Sequence, residues 1–302
     1  MGLEKTPDLY VAGMVAVFAE VRRVLADDGT LWLNLGDSYA GSWGNQGRKA
    51  ERGSQRPING EILTPVLDGR YPDAGSNTGK IPEGADYKAK DLIGIPWLVA
   101  FALRADGWYL RSEIIWSKPN PMPESVRDRP TKAHEQVFLL SKSARYFYDA
   151  DAIAEAATRL DTWPQSKGRG DAGGWKPGPR FGGAKYGDDD SEQSRTKSGN
   201  VYEPNGKRNR RTVWEVATQP FSGAHFATFP PKLIEPMILA GSKPGDTILD
   251  PFSGSGTTGM VALRHGRSYI GLELNPEYVE LSRNRIRDDA PLLNTGIERV
   301  AA

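Results

Sequence analysis

The segment from Asp250 to Thr258, Asp-Pro-Phe-Ser-Gly-Ser-Gly-Thr-Thr, is the part of the sequence best suited to bind a ligand. It lies between a predicted strand and a predicted helix. Gly254 and Gly256 let the backbone approach a ligand without a Cβ clash, and the amino end of the helix offers free N–H groups. Glu273 ends the next predicted strand, where carboxylates of doubly wound sheets bind ribose hydroxyls. This pattern predicts a site for a ligand that contains adenosine.

The glycine pattern narrows the class of ligand. Dinucleotide sites use Gly-x-Gly-x-x-Gly, and we interpret the continuation Thr257-Thr258-Gly259 as a departure from it. Phosphate-binding P-loops use Gly-Lys-Ser/Thr, and no lysine is present here. The loop therefore favours a nucleoside without a pyrophosphate, such as S-adenosylmethionine, and disfavours a nicotinamide oxidoreductase. A purely structural strand–helix connection is the alternative for a glycine-rich turn taken alone.

Composition excludes several other kinds of site. The 302 residues contain no cysteine, which excludes disulfides, a thiol nucleophile and zinc sites with sulfur ligands. Three histidines disfavour a metal site built from several imidazoles, and we predict no metal. No apolar run reaches the roughly 18 residues that a membrane span requires, and no signal peptide opens the chain. We expect a cytoplasmic protein with no membrane partner. Because the formal net charge is only +1, a nucleic-acid surface requires local clustering of charge.

Hydrophobic periodicity predicts an α/β protein with a mostly parallel sheet. We predict helices over residues 6–25, 96–103, 256–265 and 276–288, and strands over 31–35, 109–116, 136–140, 247–250 and 268–274. The last four elements of the chain read strand–helix–strand–helix, for which a right-handed crossover is expected.

Two long segments have few large aliphatic residues. Residues 40–90 are rich in glycine, proline, serine and asparagine, and we interpret them as an irregular insertion. Residues 163–211 carry 10 glycines, and their 11 Lys/Arg against 6 Asp/Glu leave an excess of five positive charges.

The cofactor loop resembles the corresponding motif of amino-group DNA methyltransferases, which make N6-methyladenine or N4-methylcytosine. Residues 113–123, Glu-Ile-Ile-Trp-Ser-Lys-Pro-Asn-Pro-Met-Pro, are similar to a second segment of that family, and 225–230, His-Phe-Ala-Thr-Phe-Pro, to a third. The order of the segments matches the β-type arrangement of the family. The resemblance covers 1–40, 90–150 and 212–290.

This resemblance implies a Rossmann-like, S-adenosylmethionine-dependent methyltransferase fold with three parts. Residues 1–150 would form the catalytic half, 151–211 a variable basic target-recognition region and 212–302 the cofactor half. Glu273 would bind the ribose of S-adenosylmethionine. The other residues implied in cofactor binding are Asp250, Phe252, Gly254, Gly256, Thr257 and Thr258 in the loop, and His225, Phe226 and Phe229 beside the methionine part.

Two clusters of positive charge are candidates for DNA binding. They are Lys118, Arg127, Arg129 and Lys132, and Lys207, Arg208, Arg210 and Arg211. Arginine and lysine bind phosphates, and arginine also reads guanine edges, so such clusters predict salt-dependent binding. Each cluster taken alone is equally compatible with an ordinary solvated surface.

The sequence departs from the family at one point. Members carry a catalytic Asp/Ser/Asn-Pro-Pro-Tyr/Phe tetrapeptide ahead of the helix at 6–25, and the 302 residues contain none. Phe229-Pro230-Pro231-Lys232 comes nearest, with the wrong ends and in the wrong half. We therefore name no catalytic residue, expect a sheet that is incomplete at its amino end, and expect weak or absent turnover. Met1 is then either an internal methionine of a longer reading frame or the start of a natural remnant.

The leading hypothesis is a site-specific methyltransferase of restriction–modification or phage type that acts on double-stranded DNA. The alternatives are a methyltransferase for RNA or another substrate, and an inactive DNA-binding remnant. The choice between adenine and cytosine stays open, as does a homodimer.

Overall fold

The computed structural model describes residues 4–40, 85–124, 126–156, 207–219 and 228–290. Internal contacts divide the chain into two units, Met1–Asp149 with Arg211–Ala302, and Ala150–Arg210. The division into catalytic, basic and cofactor parts stays a prediction, because most of 151–211 lies outside the described ranges.

The elements alternate between helix and strand along much of the described chain. The helices are α1 (Pro7–Val24), α2 (Ile95–Ala105), α3 (Pro231–Gly241), α4 (Thr257–Arg264) and α5 (Pro276–Asp289). The strands are β1 (Thr30–Leu35), β2 (Tyr109–Ser117), β3 (His134–Ser141), β4 (Glu155–Ala156), β5 (Lys207–Arg208), β6 (Val213–Glu215), β7 (Thr247–Asp250) and β8 (Ser268–Gly271).

The first helix begins as its sequence predicts. The side chain of Thr6 accepts a hydrogen bond from the backbone N–H of Leu9 at 3.3 Å, and Pro7 occupies the first turn. The second helix has a less obvious cap. Asp37, just after β1, accepts hydrogen bonds from the N–H groups of Gly94 at 2.9 Å and Ile95 at 3.0 Å. The carboxylate thus joins the carboxyl end of β1 to the amino end of α2.

Four strands form the larger sheet, in the order β1-β3-β2-β6. Strand β3 runs antiparallel to both β1 and β2, whereas β6 runs parallel to β2. The smaller sheet of the same unit is the parallel pair β7-β8. For the described ladders of this unit, the prediction of a mostly parallel sheet is therefore wrong. Strand β3 follows β2 with no crossover helix, and a chain that returns without a crossover pairs antiparallel.

Strand β3 is buried on both of its faces. Val137 and Leu139 belong to a cluster with α3 and α4, and Phe138 and Leu140 belong to a second cluster with α1 and α2. The exposed fraction of these four side chains is 5% or less. Helices therefore cover both faces of the larger sheet, as its continuous apolar run predicts.

Four elements were not predicted from the sequence: the two-residue strands β4 and β5, the strand β6 and the helix α3. Strand β6 has only three residues, too few for an alternating pattern. Helix α3 contains Pro236, which is rare inside a helix and hides the helical pattern.

Behind α3, the nearly buried guanidinium of Arg267 donates to the Ser242 carbonyl at 2.7 Å and to the His265 carbonyl at 2.6 Å. One arginine thus holds the carboxyl ends of α3 and α4.

The predicted insertion at 40–90 lies mostly outside the described residues, but its two ends meet. The backbone N–H of Ala40 donates to the carbonyl of Asp91 at 2.8 Å, and that of Lys90 donates to the carbonyl of Ala40 at 2.9 Å. In the second unit, β4 pairs antiparallel with β5, and Arg208 lies 3.3 Å from Glu155.

Candidate cofactor-binding site

The loop between β7 and α4 has the backbone that its glycines predict. Gly254 and Gly256 adopt positive φ angles of 51° and 74°, which side-chain-bearing residues rarely adopt. A Cβ at Gly256 would also lie 2.7 Å from Cβ of Ser282 in α5. Gly256 is therefore required both by its conformation and by the approach of α5.

Glu273 lies directly against this loop. One carboxylate oxygen accepts the N–H of Gly254 at 2.9 Å, and the other accepts the N–H of Asn275 at 2.8 Å. Each carboxylate oxygen can accept a further hydrogen bond. The predicted loop and the predicted acid thus form one site, with acceptor capacity left for a ligand hydroxyl.

Asp250, at the end of β7, holds the loop from within. Its carboxylate accepts the N–H of Phe252 at 2.9 Å and the hydroxyl of Thr258 at 2.6 Å. Burial raises the pKa of Asp250 above its usual value, the two hydrogen bonds partly offset that rise, and the negative charge of Glu273 adds to it.

The side chain of Thr257, a predicted cofactor-binding residue, is engaged within the protein. Its side chain is buried, and its hydroxyl accepts a hydrogen bond from Arg285 at 2.7 Å. The same guanidinium donates to Oγ of Ser255 at 2.9 Å. Any contact of Thr257 with a cofactor is therefore left to its backbone, because its side chain supports the loop from behind.

Three large apolar side chains near the acid are exposed. They are Phe252 at 46%, Leu272 at 54% and Leu274 at 97%. Phe252 also packs edge-on against Phe18 of α1, with ring centroids 6.3 Å apart. Leu272 and Leu274 were missed by the sequence analysis. Their signal in the sequence is their position on either side of Glu273.

The segment at 225–230 is only partly described. His225 and Phe226 lie outside the described residues. Phe229 is half-buried and packs against the cluster that contains Leu233 and Met237 of α3. The role of all three beside the methionine part stays a prediction.

The first basic cluster divides into paired and unpaired cations. Lys118 forms an ion pair with Glu135 and lies 4.2 Å above the ring of Trp116. Arg129 pairs with Glu124 at 2.6 Å and stacks on the ring of Tyr39 at 3.8 Å. These two side chains are engaged within the protein.

Arg127 and Lys132 differ from them. Within the described ranges, Arg127 is exposed and makes no hydrogen bond or ion pair. Lys132 is half-buried and donates no hydrogen bond to a described residue. Burial lowers the pKa of Lys132, although Asp37 and Glu135 act in the opposite direction. These two cations are the members of the cluster that remain available to an anionic partner.

In the second basic cluster, all four predicted residues interact with other groups. Arg208 pairs with Glu155, and Lys207, Arg210 and Arg211 also have partners. The assignment of both clusters to DNA stays a prediction.

Asn120, in the second segment of the resemblance, joins two loops. Its amide donates to the carbonyl of Thr218 at 3.2 Å and accepts from the N–H of Thr218 at 2.9 Å. The indole of Trp116 donates to the Val216 carbonyl at 2.7 Å. The conformation of the loop after β2 is thus tied to the loop after β6.

In the part of the chain that the structure describes, no three acidic or imidazole side chains converge in an arrangement that could bind a metal ion. Nor does any described helix have the length and apolar character needed to cross a bilayer.

Our interpretation of the glycine spacing is wrong. Gly254, Gly256 and Gly259 stand at the spacing of Gly-x-Gly-x-x-Gly, so the glycines alone do not exclude a dinucleotide. The third glycine has a packing reason here, because a Cβ at Gly259 would lie 2.5 Å from the ring of Tyr269.

Comparison of the sequence with known proteins identifies its family. A sequence profile of the N6/N4 methyltransferase family, described as DNA methylase, matches residues 1–284. The Type II methyltransferase M.Cfr9I of Citrobacter freundii is 43% identical over 302 residues, which are 100% of this chain and 78% of that protein. The Type II methyltransferase M.SmaI of Serratia marcescens is 41% identical over 288 residues, 95% of this chain and 77% of that protein.

Solved structures agree on the fold. PvuII DNA methyltransferase, described as cytosine-N4-specific, superposes with a TM-score of 0.53 at 16% identity, over 96% of this chain and 79% of that one. A protein assigned as a DNA modification methylase of Thermus thermophilus, solved with S-adenosyl-L-methionine, gives 0.50 at 18% identity, over 94% and 79%. The predicted methyltransferase fold is confirmed. With a profile match over residues 1–284 and relatives above 40% identity along its length, the chain belongs to the DNA methylase family.

Proposed function

We propose that this chain binds S-adenosylmethionine in the loop at 250–258 and directs its methyl group to the exocyclic amine of adenine (N6) or cytosine (N4) at a specific site in double-stranded DNA. The observation that carries the proposal is the 2.9 Å hydrogen bond between Gly254 N–H and Glu273. It joins a glycine turn, a helix amino end and a ribose-binding acid into one site. The names of the Type II methyltransferase relatives support site-specific modification of DNA.

The residues of the site fit this cofactor. Glu273 retains acceptor capacity for the two ribose hydroxyls. The exposed side chains of Phe252, Leu272 and Leu274 offer an apolar border that suits an adenine ring. The loop has no lysine or arginine to bind a pyrophosphate, in keeping with a nucleoside that lacks phosphate.

The chemistry places strict demands on position. The amine nitrogen of the base is a poor nucleophile, because its lone pair is delocalised into the ring. S-adenosylmethionine supplies a methyl group on a sulfonium, so the nitrogen forms the new N–C bond, the C–S electron pair stays with sulfur, and the amine loses a proton. The contribution of the residues at 250–258 and of Glu273 is to orient the donor, and such positioning supplies much of the rate.

The acceptors for the amine hydrogens are the part that these 302 residues do not supply. No Asp/Ser/Asn-Pro-Pro-Tyr/Phe string occurs among them. We therefore propose cofactor and DNA binding by these 302 residues, with weak methyl transfer.

For DNA, we assign the phosphate contacts first to Arg127 and Lys132, the two members of the first basic cluster that donate no hydrogen bond to a described residue. A target base must also leave the duplex, at a cost of a few kcal/mol. A cytoplasmic location belongs to the same proposal, since DNA and the methyl donor meet there.

Two measurements test this function. Calorimetric titration with S-adenosylmethionine should show binding by the 302-residue chain, with NAD as the negative control. Transfer of a labelled methyl group to mixed-sequence duplex DNA by the 302-residue chain should be weak. Nucleoside chromatography separates N6-methyladenine from N4-methylcytosine, and RNA of the same sequence tests the alternative substrate. Absence of cofactor binding contradicts the proposal, and robust transfer by the 302 residues contradicts the weak turnover.

A further inference from the structure

A partly buried tyrosine in β8, Tyr269, reaches the cofactor loop. The hydroxyl of Tyr269 donates a hydrogen bond to Oγ of Ser253 at 2.8 Å. Ser253 immediately precedes Gly254, whose N–H binds Glu273, and its own side chain is nearly buried. Tyr269 therefore contacts the residue next to the one that defines the site, from the side of the protein interior.

Two glycines create the space for this contact. A Cβ at Gly259 would lie 2.5 Å from the Tyr269 ring, and a Cβ at Gly271 would lie 2.5 Å from its hydroxyl and 2.8 Å from Oγ of Ser253. Real Cβ atoms do not come that close to other heavy atoms. The ring is thus seated between one glycine of α4 and one of β8, with little freedom to move away from the loop.

Ser253 is held at its backbone as well. Its N–H donates to the carbonyl of Leu272 at 2.9 Å, and its carbonyl accepts the N–H of Gly256 at 2.9 Å. The phenol supplies the third contact, which is the one made by a side chain from another element. Removing it frees the Ser253 side chain, so that Ser253 keeps only its two backbone contacts.

The protonation state of the phenol suits a donor. Burial raises the pKa of Tyr269, and the negative charges of Asp250 and Glu273 raise it further, against the smaller opposite effect of the bond to Ser253. The hydroxyl therefore stays protonated at neutral pH and above.

We propose that Tyr269 is a positioning residue, which acts through Ser253 to hold the loop in the conformation that binds S-adenosylmethionine. This inference rests on the proposed function, because it assumes that the loop is the cofactor site. It assigns no contact between Tyr269 and the cofactor itself.

The test is a double-mutant cycle with Tyr269→Phe and Ser253→Ala, in which calorimetry measures the affinity for S-adenosylmethionine. Tyr269→Phe keeps the ring between the two glycines and removes only the hydroxyl. We expect each single variant to bind about tenfold more weakly, and the double variant to bind no more weakly than either single variant, since all three lack the same hydrogen bond.

Further readouts separate positioning from a general loss of stability. Amide hydrogen exchange at Gly254 and Gly256 in the cofactor-free protein should be faster in Tyr269→Phe, while its affinity for DNA stays that of the wild type. Tyr109→Phe, at an exposed tyrosine of β2, is the matched control and should change neither quantity.

Three outcomes would overturn the inference. If the wild type binds S-adenosylmethionine and Tyr269→Phe binds it with the same affinity, this inference alone is overturned. It is likewise overturned if the losses of affinity of the two single variants add in the double variant. No binding of S-adenosylmethionine by the wild type overturns the proposed function together with it.

Discussion

The cofactor loop at 250–258 and the basic segment at 118–132 are both rich in polar groups, but these groups are used differently. In the loop, two backbone N–H groups and the Thr258 hydroxyl donate to Asp250 and Glu273, and the carboxylate of Glu273 can accept further hydrogen bonds. In the basic segment, Lys118 and Arg129 are paired with carboxylates of the protein. A motif whose residues bind one another within a short stretch of sequence therefore predicts a binding site better than a cluster of charged residues does.

The two regions differ in how far apart along the sequence the contacting residues lie. The loop and Glu273 belong to one strand–helix–strand unit, so spacing along the chain determines their approach. The ion pair of Lys118 joins β2 to β3 across a long connection. A count of charges in the sequence therefore includes Lys118 as a possible DNA contact, although in the folded protein it is paired with Glu135.

Removing the acid of the cofactor site tests this contrast most strongly. Glu273→Ala deletes an acceptor of two backbone hydrogen bonds, at 2.9 and 2.8 Å, together with the proposed ribose contact. Charge-assisted bonds of about 1.5 kcal/mol each predict about a 100-fold loss of affinity for S-adenosylmethionine. Titration calorimetry measures it.

The control is Glu277→Ala, an exposed carboxylate in the first turn of α5, which should bind like the wild type. Equal affinity of Glu273→Ala and Glu277→Ala would mean that the loop is not the ribose site.

Removing Arg127 and Lys132, the two cations of the basic segment without a carboxylate partner among the described residues, tests whether this segment binds DNA. Arg127→Ala with Lys132→Ala should weaken duplex DNA binding about tenfold at low salt, and should reduce the slope of log affinity against log salt by about two, because each phosphate contact releases about one counterion. Fluorescence anisotropy over a salt series gives both values.

A double variant with the same change in net charge controls for the overall field. Arg23→Ala with Arg283→Ala removes two helical arginines that pair with neighbours three residues away. If its salt slope falls as far as that of the first variant, net charge rather than the two assigned contacts accounts for DNA binding.

A paired cation of the same segment should affect stability instead. Lys118→Met leaves Glu135 without its ion-pair partner and removes the cation above Trp116. We expect the free energy of unfolding to fall by about 1 kcal/mol, with the salt slope of DNA binding unchanged. Urea unfolding and anisotropy measure the two effects.

Adding Glu135→Gln to Lys118→Met should restore part of the stability, since the unpaired charge is then removed. A salt slope reduced by one in Lys118→Met would show that this lysine contacts DNA despite its partner.

The smallest effect concerns the buried carboxylate of the loop. The pKa of Asp250 in the folded protein is raised above its unfolded value of about 3.8, chiefly by burial. The stability it contributes is therefore complete below the unfolded pKa and is lost as the pH rises through the folded pKa. Asp250→Asn has no such loss, so its free energy of unfolding relative to that of the wild type should rise as the pH is raised from about 4 to about 7.

Urea unfolding at both pH values measures that difference. Asp246→Asn, at an exposed aspartate in the turn before β7, corrects for the loss of one negative charge. A gap between Asp250→Asn and the wild type that stays constant with pH would contradict the assigned burial effect.

Much of the fold is predictable where local signals are strong. Thr6 and Pro7 locate the start of α1, and the apolar run at 137–140 locates a strand that is buried on both faces. Strand β6 and helix α3 escape prediction because their formation depends on partners from elsewhere. Three residues of β6 are ordered by pairing with β2, and α3 tolerates Pro236 within a buried face.

For the site, the turn at Gly254 and Gly256 and the acid that meets it were predictable from the chain alone, since a strand–turn–helix–strand unit brings such residues together without help from other elements. The packing of separate elements determines which cations are already paired, that the Thr257 hydroxyl binds Arg285, and that the Tyr269 hydroxyl binds Ser253. These contacts depend on how separate elements pack, and the spacing of residues within one element carries no record of that packing.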